Sequence, residues 1–499
     1  MPDKVVLLSD VARRVTGSLR GDGALTVCDV THDSREAGPG FLFVAIRGRK
    51  VDGHAYIRRA VERGAHAALV ERFIPCSLPQ VRVADTRRAL GPAAALVHGD
   101  PTHQLDVVGV TGTNGKTTVT VMLESIAGAA DRQFARVGTL GIGIAGHHEP
   151  LTLTTPEASD LQRMFATMVL RGVSLVAAEV SSHALALNRV DGTSFAVAAF
   201  TNLSQDHLDF HGDMEDYFAA KQKLFDGRAS LHVIDVTTEA GQRLAAAARG
   251  RVIRVGYGSD CEVSIIDAEP GLSSSSSVLL IGGVEVAVTV RPGGLHNLRN
   301  AALAAGCARA VGIEVDSIVE GLQAVRRIPG RLDPVDAGQP FDVLVDYAHT
   351  PAAVETVVGT ALDRCGGSTI VVVGAAGERD AAKRPLLGLA AARADLAVIT
   401  SDNPRSEDPA ALVDEVAAGT VGGRAEVVRE VDRSRAILLA LERAEPGDTV
   451  LILGKGHEQH QDLGTDVIPF DDRAVAATYL RERWARSESC SRTMMEARS

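Results

Sequence analysis

Lys116 sits in the run Gly109-Val-Thr-Gly-Thr-Asn-Gly-Lys-Thr-Thr118, whose residue types suit the holding of phosphate. Gly112, Thr113, Asn114 and Gly115 make a turn whose backbone N–H groups can face an anion, ahead of a helix N-terminus. Lys116 adds a cation for the β- and γ-phosphates, and the hydroxyl of Thr117, just before Thr118, can reach a magnesium ion. The strict phosphate-loop pattern needs glycine where this chain has Val110, so a shorter Gly-Thr-Asn-Gly-Lys-Thr core remains. An ordinary strand–helix turn is the plain alternative.

Lys221 is the second residue of interest. Residues Asp213–Leu224 follow a helical period, and at roughly 100° per residue Met214, Phe218 and Phe225 share one stripe with Lys221 inside it. Lys223 points the other way. Two readings stand: a lysine whose stem packs while its ammonium reaches water, or a buried lysine whose charge is paired or changed. Carbamylation by CO2 would make it an anion able to meet magnesium. Glu179 and His207 are candidate metal contacts with Thr117, since magnesium takes few protein ligands beside water and phosphate oxygens. For His207, a helix cap or turn role stands equally. Arg379, Arg405 and Glu458 can hold an amino acid, guanidinium to carboxylate and carboxylate to ammonium. Surface ion pairing is the plain alternative.

The elements that must position these groups alternate. The apolar run Leu105–Val110 predicts a strand and Val119–Ala130 a helix. Further strands are expected at Val27–Thr31, Phe41–Val44, Ala67–Val70, Val81–Val83, Val173–Val180 and Val197–Thr201. Others are expected at Val343–Asp346, Ile370–Val373, Leu396–Thr400 and Thr449–Leu453, with helical stretches such as Tyr56–Arg63 between. The pattern predicts an α/β chain of three domains: a small N-terminal α/β domain (1–100), a central mostly parallel sheet of phosphate-loop type (101–332) and a C-terminal Rossmann-like domain (333–485). Residues 486–499 read as a disordered tail. In such sheets ligands gather where strands end, and polar runs follow these strands at Glu179–His183, Thr201–Asp209, Asp346–Pro351, Gly374–Asp380, Ser401–Arg405 and Gly454–Glu458. Residues 252–290 read as antiparallel strands, with Ser273–Ser277 as a surface loop. In the N-terminal part, His32–Glu36 and Arg47–His54 read either as turn chemistry or as a phosphate clamp.

With 499 residues the chain can bury several cores. Its net charge of −11 disfavours a generic nucleic-acid partner. The opening apolar run is too short for a signal peptide and no run reaches membrane-spanning length, so a cytoplasmic protein that is not membrane-embedded is expected. Six scattered cysteines (28, 76, 261, 307, 365 and 490) lack metal spacing and read as reduced thiols.

Taken in order, the Thr111–Thr118 run, Glu179–His183, Asn202–Asp209, Asp346–His349 and Gly454–Glu458 resemble the Mur ligases of peptidoglycan synthesis, over about residues 26 to 480. The resemblance implies an ATP-dependent ligase of the branch that adds the third residue to UDP-MurNAc-L-Ala-D-Glu through an acyl phosphate. It implies that Ser34, Arg49, Lys50 and Val51 contact the uridine nucleotide. Thr154, Thr155, Ser181 and Arg189 would hold the muramoyl peptide, and Asn300, Arg331 and Asp346 would surround ATP. Thr117, Glu179, His207 and a carbamylated Lys221 would meet magnesium. In that family Asp402, Asn403, Pro404 and Arg405 mark members that take meso-diaminopimelate, with Arg379, Gly454 and Glu458 completing the contacts. Diaminopimelate has a second carboxylate that arginine can read and lysine lacks. A monomer acting on small molecules is expected. Departures occur at Ala376 and Glu378 in an otherwise Gly-Gly-Asp-Arg-Asp segment, at Leu153 where many relatives have Asn, and at Leu187 where Gln is frequent. The alternatives are addition of LL-diaminopimelate, lysine or another amine, use of another acyl substrate, a phosphate-loop NTPase switch, and the related folylpolyglutamate synthetases.

Overall fold

The computed structural model describes residues 5–48, 51–144 and 146–483. The expected tail at 486–499, with Trp484 and Cys490, lies outside them, as do Arg49 and Lys50.

Three α/β domains are each built on their own sheet. The first sheet has five strands in the order Ser18–Arg20, Gln80–Arg82, Ala67–Val70, Phe41–Val44 and Asp29–Thr31, parallel except at the first pair. The third has six: Asp333–Pro334, Asp342–Asp346, Thr449–Leu453, Thr369–Ala375, Leu396–Ser401 and Glu426–Arg429, antiparallel only at the first pair.

The central sheet has eleven strands and carries the phosphate loop. Asp106–Thr111 lies between Leu175–Glu179 and Phe195–Phe200, all parallel. These strands are buried on both faces, which explains their near-continuous apolar sequence. Helix Lys116–Ala129 packs Val119, Met122, Leu123 and Ile126 into the core on one face. Helix Ala158–Leu170 packs Leu161, Phe165 and Met168 into the core on the other.

Two expectations for residues 252–290 hold only in part. Arg251–Gly256 runs parallel to Ala229–Asp235 and to Val263–Glu269. Within this stretch, antiparallel pairing begins only at Val263, through Ser275–Ile281 and Val284–Val290. Composition defines a strand but not the direction of its neighbour. The serine run is a loop only at Ser273 and Ser274, because Ser275, Ser276 and Ser277 begin a strand. The Ser275 hydroxyl accepts from Gly271 N at 3.0 Å and Gly294 N at 2.8 Å, and Ser277 donates to Ile266 O at 2.7 Å. Buried hydroxyls are tolerated there because each finds a backbone partner.

Candidate active site

The turn after Asp106–Thr111 is fixed by what surrounds its glycines. Gly112 has φ +147° and a Cβ there would lie 1.8 Å from Thr201 Oγ1. Gly115 has φ +89° and a Cβ would lie 2.3 Å from Asn300 Oδ1. Neither position admits a side chain. The turn is pinned from the neighbouring strand end: Asn114 N donates to Asn202 Oδ1 at 3.0 Å, and Asn202 Nδ2 and Thr201 Oγ1 both donate to Asn114 O. Thr113 pairs with Tyr217 OH at 3.1 Å. Lys116 folds back over the turn, donating to Gly112 O and Thr113 O at 2.9 Å each. Burial pulls its pKa down, against the opposing charges of Glu179 and Asp206.

Glu179 ends its strand fully buried against Gly138. It accepts from Thr117 Oγ1 at 3.1 Å, Thr139 Oγ1 at 2.9 Å and Thr139 N at 2.9 Å. Arg331, stacked on the Tyr347 ring at 4.6 Å, donates to Thr117 Oγ1 at 3.3 Å. Asp346 Oδ1 and Oδ2 accept from Ala348 N and Leu332 N at 2.7 Å each, and burial raises its pKa. Asn300 donates to Asn297 at 3.0 Å, which aims its Oδ1 at Gly115. Residues Gly115–Thr118, with Thr113, Asn114, Glu179, Asn300, Arg331 and Asp346, line one cavity of about 780 Å³.

The same cavity receives Thr154, Thr155, Ser181, Arg189 and His207. Thr155 Oγ1 donates to Glu179 O at 2.8 Å, Ser181 caps the short helix Ser182–Ala186, and Arg189 binds Glu157 at 3.0 Å. Leu153, 39% exposed, puts an apolar group on this wall. Ser34 is buried in the N-terminal domain and Val51 is 50% exposed there; neither lines the cavity.

His207 adopts the left-handed conformation at φ +57°. Burial pushes its imidazole down to about 3, against the pull of Asp206, so the ring is neutral with a free lone pair. The oxygens of Thr117 and Glu179 and a neutral imidazole are donors that suit magnesium when phosphate oxygens and water complete the shell. Among the described residues, no three His, Cys, Asp or Glu groups converge into a self-sufficient metal site.

Lys221 lies behind the loop rather than on the cavity wall. It is 1% exposed, its Nζ sits 4.3 Å from the centre of the Tyr217 ring, and among the described residues it has no ion pair. Burial drives its pKa far down, and Lys116 adds to that. Lys223 is exposed, as the helical period predicts.

A second pocket of about 120 Å³ is lined by Arg379, Asp402, Asn403, Arg405, Gly454 and Glu458, with Asp206, His207, Tyr347 and His349 shared with the first. Arg379 is exposed at the junction of both. Pro404 is buried in the same loop. Arg379, Arg405 and Glu458, expected to hold an amino acid together, all line this pocket. Glu458 binds Lys455 at 3.0 Å and Asn403 Nδ2 at 2.9 Å, while Arg405 donates to Gly377 O at 2.8 Å and faces Asp462 at 3.8 Å. Lys455 is three residues before Glu458, and the turn between them brings the two together. Gly454, at φ +115°, packs against Asp402, whose pKa burial raises. Beneath them Arg433 and Asp472 form a fully buried pair at 2.7 Å, and Arg433 also donates to Ser401 O and Leu453 O.

Sequence reasoning names the strand-end runs but not Asp206, Lys383, His349 or Lys455 as members of the site. Each stands inside or beside a run already singled out, so position after a strand is the signal.

A strand, a glycine turn and a helix, with a lysine folded over the turn and a carboxylate on the next strand, define an α/β enzyme built around a phosphate-binding loop. The chain belongs to the Mur ligase family. The family's catalytic domain matches residues 26–98, its middle domain 110–308 and its glutamate ligase domain 330–456. The UDP-N-acetylmuramoyl-L-alanyl-D-glutamate–2,6-diaminopimelate ligase of Geobacillus thermodenitrificans is 43% identical over 460 residues, covering 90% of this chain and 94% of its own. That of Streptomyces coelicolor is 42% identical over 476 residues, covering 92% and 94%. A solved structure of a ligase with the same name is 27% identical with a TM-score of 0.70, covering 96% of this chain and 99% of its own. The five described cysteines are free, and no described helix is long and apolar enough to cross a membrane.

Proposed function

We propose that the protein is an ATP-dependent amide ligase that adds meso-diaminopimelate to UDP-MurNAc-L-Ala-D-Glu. The carrying observation is that the loop cavity and the pocket of Arg379, Asn403 and Arg405 meet at shared residues. A phosphorylated carboxylate and an incoming amine would meet there.

The γ-phosphate of ATP passes to the D-glutamyl side-chain carboxylate, giving an acyl phosphate and ADP. A free carboxylate is a poor electrophile, and the phosphate supplies the leaving group. The amine of diaminopimelate attacks the carbonyl carbon, loses a proton, and phosphate departs as the amide forms. Lys116 and Arg331 neutralise charge on the transferring group, which is most of what phosphoryl transfer asks of a protein. Thr117, Glu179 and His207 would hold magnesium, which supplies further charge neutralisation. Lys221 supports a carbamate role: an amine kept neutral by burial adds CO2, releases a proton and becomes an anion facing the loop. Thr154, Thr155, Ser181 and Arg189 would orient the muramoyl peptide, and Ser34 to Val51 the uridine end. Asn300 and Asp346 would frame the nucleotide. Asp402 to Arg405, with Gly454 and Glu458, would read the far end of diaminopimelate.

The three functional units divide near residues 100 and 332, and the enzyme works in the cytoplasm as a monomer. Leu153, an apolar group where many relatives carry Asn, favours one second reading, a ligase of the same chemistry with another acyl substrate or amine. The test is phosphate release and product mass with ATP, magnesium and UDP-MurNAc-L-Ala-D-Glu across a panel of amino acids. The tripeptide mass with meso-diaminopimelate alone is expected. Product with lysine instead moves the specificity, and phosphate release without any amine favours a phosphate-loop switch.

A further inference from the structure

The loop after Phe195–Phe200 and the loop after Thr369–Ala375 belong to different domains, yet their side chains interlock. Asp206 is 4% exposed; its Oδ1 lies 3.4 Å from Lys383 Nζ and its Oδ2 lies 3.5 Å from His349 Nε2. Lys383 is 5% exposed and has Asp206 as its sole ion-pair partner among the described residues. The preceding residue, Gln205, donates to Asp380 Oδ2 at 3.1 Å. The other oxygen of Asp380 accepts from Ala382 N at 3.0 Å, which holds the carboxylate in place. Two consecutive residues of the central domain therefore grip three residues of the C-terminal domain, His349, Asp380 and Lys383.

We propose that Gln205 and Asp206, gripping Asp380, Lys383 and His349, are positioning residues that complete the amine pocket and couple phosphoryl transfer to amide formation. The proposal rests on the ligase reading above. Asp206, His207 and Asp209 form the central-domain side of the small pocket, opposite Asn403 and Arg405. Separated, the two loops leave that pocket without one side, and water reaches the acyl phosphate. Within its own domain, among the described residues, Asp206 has only the N–H of His207 at 3.0 Å and its imidazole at 3.4 Å, so the charge of Lys383 and that of Asp206 meet only when the domains do. A ligand that occupies the pocket between the two loops favours that closed arrangement.

The experiment uses the full chain with ATP, magnesium, UDP-MurNAc-L-Ala-D-Glu and meso-diaminopimelate, and reads phosphate and tripeptide together. Wild type is expected to release about one phosphate per tripeptide. No tripeptide from wild type would overturn the ligase reading itself, a failure distinct from that of the grip. Asp206→Asn and Lys383→Met are expected to raise the diaminopimelate KM about tenfold or more, leave the ATP KM within about threefold, and release several phosphates per tripeptide. Gln205→Ala removes only the partly exposed contact, keeps the buried pair, and is expected to move the same ratio less. Thermal melting identifies any variant that fails to fold, and Gln205→Ala then decides. A ratio that stays near one in every folded variant overturns the proposal, even where KM rises, because a direct substrate contact alone would not let water compete.

Discussion

The phosphate cradle and the amine pocket are built in opposite ways. The cradle comes from one domain. Its shape follows from two glycines that admit no side chain and from bonds between the Asn114 backbone and the Asn202 side chain that pin the turn to the end of the next strand. The amine pocket comes from separate loops of two domains. Arg405 is left-handed at φ +54° and its N–H is fixed to Asp462 O at 3.0 Å. Gln461 reaches under the same loop to Asp402 O at 2.6 Å. A cradle closed within one domain is ready before its ligand arrives. A pocket assembled by ion pairs across domains exists only while they stay together. The difference sets an order: nucleotide onto a standing site, amine into one that closure makes.

Four substitutions probe this contrast. The largest effect belongs to Lys116→Ala. Turnover is expected to fall about 10³-fold, since among the described residues Lys116 is the lysine whose ammonium donates to the turn; single-turnover phosphate transfer measures it, and near-normal transfer would remove Lys116 from the cradle. Lys221→Ala is expected to lower turnover about 10²-fold, with partial recovery when a short carboxylic acid is added to replace the lost anion. Loss without recovery would leave Lys221 a packing residue. Arg405→Ala acts on the assembled side: the diaminopimelate KM is expected to rise about 30-fold through loss of a charge-assisted contact, with the ATP KM unchanged. Equal rises in both would mean that the two sites are not independent.

The smallest effect is on stability. Burial, aided by Arg331, holds the His457 imidazole down to about 4. Between that value and its ordinary 6.5, the folded ring is neutral while the unfolded ring binds a proton, so stability rises with pH across this window. His457→Gln is expected to flatten the fall in Tm between about pH 6.5 and pH 4. An unchanged slope would place the acid sensitivity elsewhere.

The same contrast decides what the sequence makes legible. The cradle's glycines, lysine and threonine are consecutive, so type and spacing reveal them, and the strands that flank them follow from apolar runs. The helical period places Lys221 on the apolar stripe but leaves open whether its ammonium reaches water, and only the fold, with the Tyr217 ring over it, decides for burial. Asp206 stands within a run that invites attention, but its partners lie 143 to 177 positions away and no local rule joins them. Glu458 is legible as a carboxylate after a strand, but its pairing with Lys455 is not, because the turn that brings them together is set by the fold. The serine run is misread in part, for a related reason. Low-complexity serine suggests a loop, yet alternate hydroxyls point inward to backbone groups that only the folded sheet supplies.

Isotope transfer is the sharpest test of the ligase reading. With ¹⁸O in the D-glutamyl side-chain carboxylate, ATP, magnesium and meso-diaminopimelate, the released phosphate is predicted to carry one ¹⁸O as the tripeptide forms. Unlabelled phosphate beside product, or phosphate release that ignores the amine, would contradict the acyl phosphate and the joining of the two pockets in one reaction.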